Sequence, residues 1–170
     1  MNTPTIRVRE PADDAAIRAL NDAAFGGRAE SILVEALRLD RYAAVELVAV
    51  ERGAIVGHIL FSRLDMTVDG RTVSTLSLAP MAVRPDRQRR GVGSALVRHG
   101  LEQARSLGWQ AVIVLGHPDY YPRFGFDAEL AHKLAAPFSG DAFMALELTP
   151  DALRGTGGRI VYPPAFGQPT

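Results

Sequence analysis

The hydrophobic and polar residues of the chain recur with two different periods. Residues 5–9 alternate with period two, which is typical of a strand. Apolar residues then recur with helical spacing, which predicts a helix from Pro11 to about Phe25 and a second helix over 29–39. The residues that share the apolar face of the first helix are Ile17, Leu20, Ala24 and Phe25. A strand followed by two helices is therefore expected at the start of the chain.

Two hairpin patterns follow these helices. Residues 47–50 and 55–61 are apolar runs on either side of Arg52-Gly53, which indicates a first hairpin. Asp69-Gly70 is the pair that a tight primed turn favours, so a second hairpin is expected there. The strand after that turn, about 73–83, contains Pro80. Proline has no N–H to donate to a neighbouring strand, and we therefore expect a bulge or a splayed edge near Ala79-Pro80.

A long amphipathic helix and a buried strand come next. The helix is predicted over 92–107, and its apolar stripe consists of Val92, Leu96, Gly100, Ala104 and Leu107. Residues 111–115 form a continuous apolar run, as a buried central strand does. A turn-rich segment at 116–125 and a strand at 142–148 follow. The fold class is therefore mixed α/β (α+β), with antiparallel hairpins first and a β-α-β crossover later.

Composition limits the class of protein. The chain has 170 residues, of which 47% are hydrophobic, and this suits one domain over 1–170 with a core at about 5–148. A tail rich in proline and glycine is expected over 155–170. The formal net charge is zero, so no partnership with nucleic acid or an anionic membrane is expected. Cysteine is absent, which excludes disulfides and thiolate chemistry, and we expect no metal. The amino terminus has no secretory signal pattern, so we expect a cytoplasmic protein.

The first candidate for chemistry is the segment 88–94, Gln-Arg-Arg-Gly-Val-Gly-Ser, which joins the strand to the long helix. Two glycines at such a junction turn backbone N–H groups toward one point, where the helix dipole favours an anion such as a pyrophosphate. Arg87, Arg89 and Arg90 add positive charge. A P-loop is excluded because Gly-Lys-Ser/Thr is missing, and a dinucleotide fingerprint needs a third glycine where Leu96 stands. A turn whose glycines only reverse the chain remains an alternative.

Two motifs resemble a known family. Gln88-x-x-Gly91-x-Gly93, preceded by Met81-Ala82-Val83-x-Pro85, resembles the acetyl-CoA-binding motif of the GNAT family of N-acetyltransferases. Residues 120–126, Tyr-Tyr-Pro-Arg-Phe-Gly-Phe, are similar to the Tyr-x-Arg-Phe-Gly-Phe element of that family. Residues 78–83 with 114–116 resemble a subgroup of predicted bacterial acetyltransferases with uncharacterised substrates. The resemblance spans about 6–148 and implies a GNAT-like sheet, mixed but largely antiparallel, flanked by helices and splayed between strands 73–83 and 111–115.

The resemblance also implies where acetyl-CoA would bind. Backbone N–H groups from Arg89 to Ser94 would hold the pyrophosphate, and the strand before the turn would offer backbone groups to the pantetheine amides. A backbone N–H beside the Pro80 bulge would hold the oxyanion of the tetrahedral intermediate. The full set of expected cofactor-binding residues is Met81, Ala82, Val83, Gln88, Arg89, Arg90, Gly91, Val92, Gly93 and Ser94.

The catalytic groups are less completely specified. Tyr121 occupies the motif position of the general acid that protonates the CoA thiolate, whereas Tyr120 is expected to pack. The base is open between His117, His58 and a chain of water molecules, because strand 73–83 has no acidic residue. Many family members carry an asparagine several residues ahead of the tyrosine. Here a short link containing Pro118 takes its place, so that contact with CoA is expected to be missing or replaced.

The expected function is transfer of an acetyl group from acetyl-CoA to a primary amine by direct attack in a ternary complex. The acceptor is expected to be a small-molecule or peptide amine, and the absence of cysteine agrees with direct transfer. The alternative is a sensor or regulatory module that binds acyl-CoA without turnover. A possible homodimer is suggested by the apolar tail around Tyr162 and Phe166, which has either the body of the protein or a second subunit to pack against.

Overall fold

The computed structural model describes residues 3–167, so residues 1–2 and 168–170, including the end of the predicted tail, lie outside the described residues. The helices are α1 (Asp14–Phe25), α2 (Ala29–Leu39), α3 (Val92–Ser106) and α4 (Ala128–Ala131). The strands are β1 (Thr5–Val8), β2 (Ala43–Glu51), β3 (Ala54–Val68), β4 (Arg71–Thr72), β5 (Thr75–Val83), β6 (Ala111–Leu115), β7 (Leu134–Ala135), β8 (Phe143–Glu147) and β9 (Gly158–Val161). The helices and strands predicted from periodicity are present, with boundaries shifted by a few residues.

The strands form a mixed, mostly antiparallel sheet. Hydrogen-bonded neighbours follow the order β1-β2-β3-β5-β6-β8, β4 and β9 also pair with β3, and β7 pairs with β9. The β5–β6 and β7–β9 pairs are parallel, whereas β1–β2, β3–β4, β3–β9 and β6–β8 are antiparallel. This confirms the predicted fold class.

Both predicted hairpin turns have the primed geometry. Arg52 and Gly53 have φ values of 52° and 77°, and Asp69 and Gly70 have φ values of 49° and 81°. Two successive positive φ angles match the right-handed twist of the flanking strands. The Asp69 carboxylate also accepts hydrogen bonds from the Thr156 and Gly157 amides, at 3.0 and 3.1 Å. The second turn therefore holds the polypeptide that leads into β9.

The chain divides into two compact units, and β3, β5 and α3 each pass through both. The first unit comprises residues 3–61 and 79–103, and the second comprises 62–78 and 104–167. In the first unit, α3 packs closely on β3. A Cβ atom on Gly57 would lie 2.9 Å from side-chain atoms of both Val92 and Leu96, and one on Gly100 would overlap Phe61. Glycine at both positions therefore allows helix and strand to approach.

The second unit has its own hydrophobic core. Its buried members are Leu64, Met66, Val68, Val73, Ala111, Ile113, Ala131, Leu134, Phe143, Ala145, Ala152, Leu153, Ile160 and Tyr162. Part of the predicted tail belongs to this core, because residues 158–161 form β9, which the sequence did not indicate, and Tyr162 is only 5% exposed. Tyr162 packs edge-on against Phe138 and Phe166, with ring centroids 5.4 and 5.3 Å away. A strand of four residues flanked by glycine and proline is too short to show a clear period.

The pairing of β5 with β3 is interrupted between Val73 and Arg84. In the second unit the Val73 amide donates to the Met66 carbonyl, and in the first the Arg84 amide donates to the Val56 carbonyl. Ten residues lie between Val73 and Arg84, but only nine lie between Val56 and Met66. The β5 side of the β3–β5 pair therefore has one extra residue, which is a bulge, within the stretch that contains Pro80.

Two helix-face predictions need correction. The first concerns Phe25, which is 45% exposed. The buried residues of α1 are Ile17 and Leu20, as predicted, and Asn21. Phe25 is the last residue of its helix, immediately before Gly26 in the left-handed conformation, so no further turn of helix covers it. Leu107 is 57% exposed because α3 ends at Ser106. The other members of the α3 stripe are buried.

Candidate functional site

The segment between β5 and α3 has the backbone conformation of an anion-binding turn. After a 3₁₀ turn at Pro85–Arg87, Arg89 and Gly91 have positive φ angles of 64° and 83°. The first hydrogen bond of α3 joins the Ala95 amide to the Gly91 carbonyl, at 3.0 Å. Amides in the first turn of a helix have no helical carbonyl to bind. A Cβ atom on Gly91 would meet no atom within 4 Å, so the space beside the turn is open.

The side chain of Gln88 anchors this turn to its strand. Its Nε2 donates to the Val83 carbonyl oxygen at 3.1 Å, and the next amide, that of Arg84, donates to the Val56 carbonyl on β3. These bonds fix the point at which the chain leaves β5. The structure therefore assigns the Gln88 side chain to holding the turn, while its backbone precedes the left-handed residue Arg89.

The arginines around the turn do not contribute equally. Arg87 donates to Glu51 at 3.1 Å and to Asp86 at 2.9 Å, so carboxylates already compensate its charge. Arg89 and Arg90 are exposed at the turn itself. A cavity of about 450 Å³ adjoins the turn, and Glu51, Arg87, Arg90, Gly91 and Val92 are among its lining residues. The positive potential therefore comes from α3 and from Arg89 and Arg90 more than from Arg87.

The last residues of β5 continue as a strand beyond the point where its pairing with β6 ends. The parallel β5–β6 register runs from Thr75 opposite Ala111 to Leu78 opposite Val114, although β5 continues to Val83. Among the expected pantetheine-binding residues, Ala82 is buried and Met81 and Val83 are half-buried. The backbone of this segment therefore lies in a strand, which is the geometry that pairing with an extended ligand requires.

Tyr121 lies in an aromatic cluster of the second unit. Its ring meets Tyr120 edge-on at 5.1 Å and Phe126 at 5.6 Å between centroids. The ring also packs against the Cα of Gly116, where any Cβ would overlap it. Burial, and to a smaller extent Tyr120, raise the pKa of Tyr121 to about 12. The hydroxyl therefore stays protonated over the physiological pH range and is able to donate a hydrogen bond.

Tyr120 occupies a different environment. It is half-buried, and the Arg123 guanidinium carbon lies 4.5 Å from the centroid of its ring. Arg123 Nε also donates to the Tyr120 carbonyl at 2.9 Å. These contacts give Tyr120 a packing role, as the sequence indicated, and distinguish it from Tyr121.

The two histidines considered as bases differ in burial. His117 is exposed, on the turn after β6, and its carbonyl accepts hydrogen bonds from the Tyr120 and Tyr121 amides at 3.1 and 3.3 Å. His58 is completely buried in the first unit. Asn21 Nδ2 approaches His58 Nδ1 at 3.2 Å, and Glu46 Oε2 lies 2.7 Å from His58 Nε2. Both ring nitrogens of His58 are thus engaged, which favours a structural role.

The hydrogen bonds around His58 assign its tautomer. Asn21 Nδ2 also donates to the Ile17 carbonyl at 3.0 Å, so the atom that faces His58 is the amide nitrogen. His58 Nδ1 must then accept, and the proton lies on Nε2 and is donated to Glu46. Arg38 binds the same carboxylate at 2.6 Å. Burial raises the pKa of Glu46, but the bonds from His58 and Arg38 outweigh burial and hold that pKa at about 2.

Sequence reasoning missed two residues of interest, Gly116 and Ser62. Gly116 appeared only as part of a family-like string, and the periodicity carries no signal for its contact with Tyr121. Ser62 is one of several serines in strand-like runs, but in the structure it is completely buried and its hydroxyl has no hydrogen-bond partner within residues 3–167. Only the tertiary fold could distinguish either residue.

Comparison with known proteins shows the family of this chain. Residues 5–128 match the family described as Acetyltransferase (GNAT) domain. The chain belongs to the GNAT family of acetyltransferases. It is 36% identical over 166 residues to the Uncharacterized N-acetyltransferase YhbS of Escherichia coli, covering 96% of this chain and 98% of that protein. It is also 44% identical over 127 residues to E. coli YjhQ, an uncharacterised N-acetyltransferase, covering 72% of this chain and 69% of that protein.

Solved structures of GNAT enzymes extend the likeness. The crystal structure of E. coli YhbS in complex with CoA superposes with a TM-score of 0.89 at 34% identity, covering 99% of this chain and 94% of that one. A GNAT acetyltransferase from Brucella melitensis in complex with acetyl-CoA gives a TM-score of 0.80 at 34% identity, covering 98% and 99%. This chain is therefore a GNAT N-acetyltransferase by family.

The described part of the chain contains neither a clustered metal site nor a membrane-crossing helix. No group of three or more histidine, cysteine, aspartate or glutamate residues between residues 3 and 167 is arranged to hold a metal ion. Over the same stretch, none of the helices has the length and apolar character needed to cross a membrane.

Proposed function

We propose that this GNAT enzyme binds acetyl-CoA along the end of β5 and the turn before α3, and transfers the acetyl group to a primary amine. The observation that carries the proposal is the backbone turn with positive φ at Arg89 and Gly91, open beside Gly91 and followed directly by α3. Amides 89–94 would hold the pyrophosphate, and backbone groups of Met81 and Val83 would pair with the pantetheine amides. Two relatives solved with CoA or acetyl-CoA support this assignment.

The proposed reaction is direct transfer in a ternary complex. The lone pair of a neutral amine forms a C–N bond to the thioester carbonyl carbon, and the carbonyl π electrons move onto oxygen. A backbone N–H beside the Pro80 bulge would stabilise that oxyanion. The oxyanion then re-forms the C=O double bond as the C–S bond breaks, and the electron pair of that bond leaves with the sulfur. The amine nitrogen gives up one proton, and the sulfur gains one, so the products are an amide and free CoA thiol.

Tyr121 is proposed as the group that meets the departing sulfur. Because a thiol has a pKa near 8.5 and Tyr121 a pKa of about 12, complete proton transfer to the thiolate is uphill. Hydrogen-bond donation from the phenol to the developing thiolate is the role that its protonated state supports. His117, exposed on the turn after β6, is retained beside a chain of water molecules as the route for the proton of the amine.

The test combines CoA binding with turnover. Isothermal titration with CoA and a thiol-release assay with acetyl-CoA would be run against amino acids, polyamines, aminoglycosides and peptides. Micromolar CoA binding with acetylation of at least one amine is the expected result. Binding without turnover across the whole panel would favour the sensor alternative, and no binding at millimolar CoA would overturn the proposal.

Three broader features are also proposed. We expect one functional domain, because β3, β5 and α3 each run through both compact units. We also expect a cytoplasmic protein that does not bind nucleic acid or membranes, in line with its zero net charge. A homodimer stays a prediction, to be tested by sedimentation. The packing of Tyr162 within the second unit removes one of the surfaces that suggested it.

A further inference from the structure

Ser62 has a buried hydroxyl for which residues 3–167 supply no hydrogen-bond partner. The residue is 0% exposed, and its Oγ makes no hydrogen bond within the described residues 3–167. Buried hydroxyl groups in native proteins are nearly always paired, and an exception indicates a bound water or a role in chemistry. A nearby buried hydroxyl, Thr75 Oγ1, shows the usual situation, because it donates to the Val73 carbonyl at 2.9 Å.

The pairing of β3 and β5 in the second unit places Ser77 beside Ser62. Just before β5, the Val73 amide donates to the Met66 carbonyl, and Thr75 Oγ1 lies 3.7 Å from Met66 Sδ. Counting four residues along each antiparallel strand from the Val73–Met66 pair sets Ser77 opposite Ser62. Over the same part of β5, Thr75 to Leu78 pair continuously with β6. Residues directly opposite each other point to the same face, with Cβ atoms about 5 Å apart. Ser77 is also buried, at 4% exposure.

These two serines lie at the end of the β5–β6 pairing. Ser77 is opposite Ile113, and the next pair, Leu78 and Val114, is the last one. Under the proposed function, the thioester would lie where β5 and β6 stop pairing. Two buried hydroxyls one residue from that point are placed to hold a single water molecule beside the reacting carbon, because a buried water needs two to four polar partners.

We propose that Ser62, with Ser77, is a positioning residue that holds the water that receives the proton of the attacking amine. This rests on the proposed function. As the C–N bond forms, the water oxygen takes one proton from the nitrogen while the water releases one of its own toward solvent. The serine hydroxyls remain unchanged. The strand before the turn has no acidic residue, so a fixed water supplies the proton acceptor that the chain itself lacks there.

Kinetics on matched variants test this assignment. Ser62→Ala removes the hydroxyl and Ser62→Thr retains one. Thr75→Val is the control. It removes a buried hydroxyl that lies two residues from Ser77 but already has a hydrogen-bond partner. With the best acceptor from the amine panel, Ser62→Ala is expected to lower kcat about tenfold or more, to shift the acidic limb of the pH–rate profile, and to reduce the solvent deuterium isotope effect. Ser62→Thr should recover most of the rate, and Thr75→Val should leave the profile and isotope effect unchanged.

Three results would distinguish a failure of the proposed Ser62 role from a failure of the proposed function. Unchanged kcat, pH profile and isotope effect in Ser62→Ala, with a wild-type enzyme that turns over, would overturn the role of Ser62 but leave the proposed function intact. A wild-type protein that neither binds CoA nor acetylates any amine overturns both. A crystal structure of the CoA complex gives an independent readout. An ordered water within hydrogen-bonding distance of Ser62 Oγ supports the proposal, and an apolar, water-free site there contradicts it.

Discussion

The ring of Tyr121 packs directly on the Cα of Gly116, so that a side chain of any size at residue 116 would overlap it. The contact joins the residue after β6 to the proposed proton donor. Gly116 has no positive φ to explain it, so the close approach of the ring is the reason that glycine suits the position.

Gly116→Ala is therefore expected to displace the Tyr121 ring. Overpacking of this kind costs about 1–3 kcal/mol of the free energy of unfolding, and the misplaced hydroxyl should lower kcat with little change in CoA affinity. Thermal unfolding and steady-state kinetics would measure both effects. Gly157→Ala is a matched control in the same unit, because the nearest atom to its new Cβ would be 4.0 Å away. Equal losses in the two variants would contradict the steric explanation.

Tyr121→Phe keeps the aromatic packing and removes only the hydroxyl. We expect kcat to fall about 10²-fold, the lower end for a positioned acid–base group, while CoA still binds in isothermal titration. Tyr120→Phe keeps the ring that packs against Tyr121, Phe124 and Arg123, and it should retain nearly full activity. Full activity in Tyr121→Phe would remove the tyrosine from the mechanism.

The high pKa of Tyr121 also leads to a prediction for the pH–rate profile of the wild-type enzyme. A phenol is protonated below its pKa, and this one is held at about 12. Deprotonation of Tyr121 should therefore cause no fall in kcat as pH rises to about 10, the usual pKa of tyrosine. A pH–rate profile measures this directly. An alkaline limb near pH 9–10 that disappears in Tyr121→Phe would show that CoA binding lowers the pKa of the hydroxyl.

Gly91→Ala tests the turn before α3. Both Gly91 and Gly108 have positive φ angles, 83° and 91°, and a Cβ atom added at either position would have no neighbour within 4 Å. Alanine at either position should cost about 1 kcal/mol of stability, because an L-residue is strained in this conformation. Only Gly91→Ala is expected to weaken CoA binding, about tenfold, since the strained turn would displace the amides proposed to bind the pyrophosphate. Equal CoA affinities in the two variants would place the pyrophosphate elsewhere.

Glu46 is predicted to make stability depend on pH in acid. Its pKa is about 2 in the folded protein and near 4.5 otherwise, so the unfolded state binds the proton more readily. The stabilisation, about 3 kcal/mol from this pKa difference, is present above pH 4.5 and is lost as pH falls toward 2. Denaturant unfolding at a series of pH values between 2 and 6 should show that the free energy of unfolding depends less steeply on pH in Glu46→Gln than in wild type. Glu102→Gln, at an exposed position on α3, serves as the control.

Local signals in the sequence were sufficient for several features. The Asp69-Gly70 turn was predictable because positive φ angles favour glycine and aspartate, and the bulge on β5 was predictable because Pro80 has no amide to donate. The turn before α3 was predictable from local sequence as well, since it depends on Gly91 and on the helix that follows it. Each of these features is decided by residues within a few positions along the chain.

Other features depend on residues distant in sequence. The period of α1 did not show that Phe25 would be exposed and Asn21 buried, because the partner of Asn21 is His58, on a strand 37 residues away. Similarly, β9 escaped prediction because its stability comes from pairing with β3 and β7 rather than from its own residues.

The sequence by itself determined the family and the order of the main elements, and it predicted the turn before α3 as the acetyl-CoA site and Tyr121 as a catalytic residue. These follow from short motifs and from backbone preferences that act locally. Only the tertiary structure decided that His58 is a buried partner of Glu46, that Arg87 is paired with carboxylates, and that Gly116 makes room for Tyr121. It alone also decided that the Ser62 hydroxyl has no partner in the described part of the chain. Burial and hydrogen bonding between separate elements depend on how the chain packs, and a linear pattern does not contain that information.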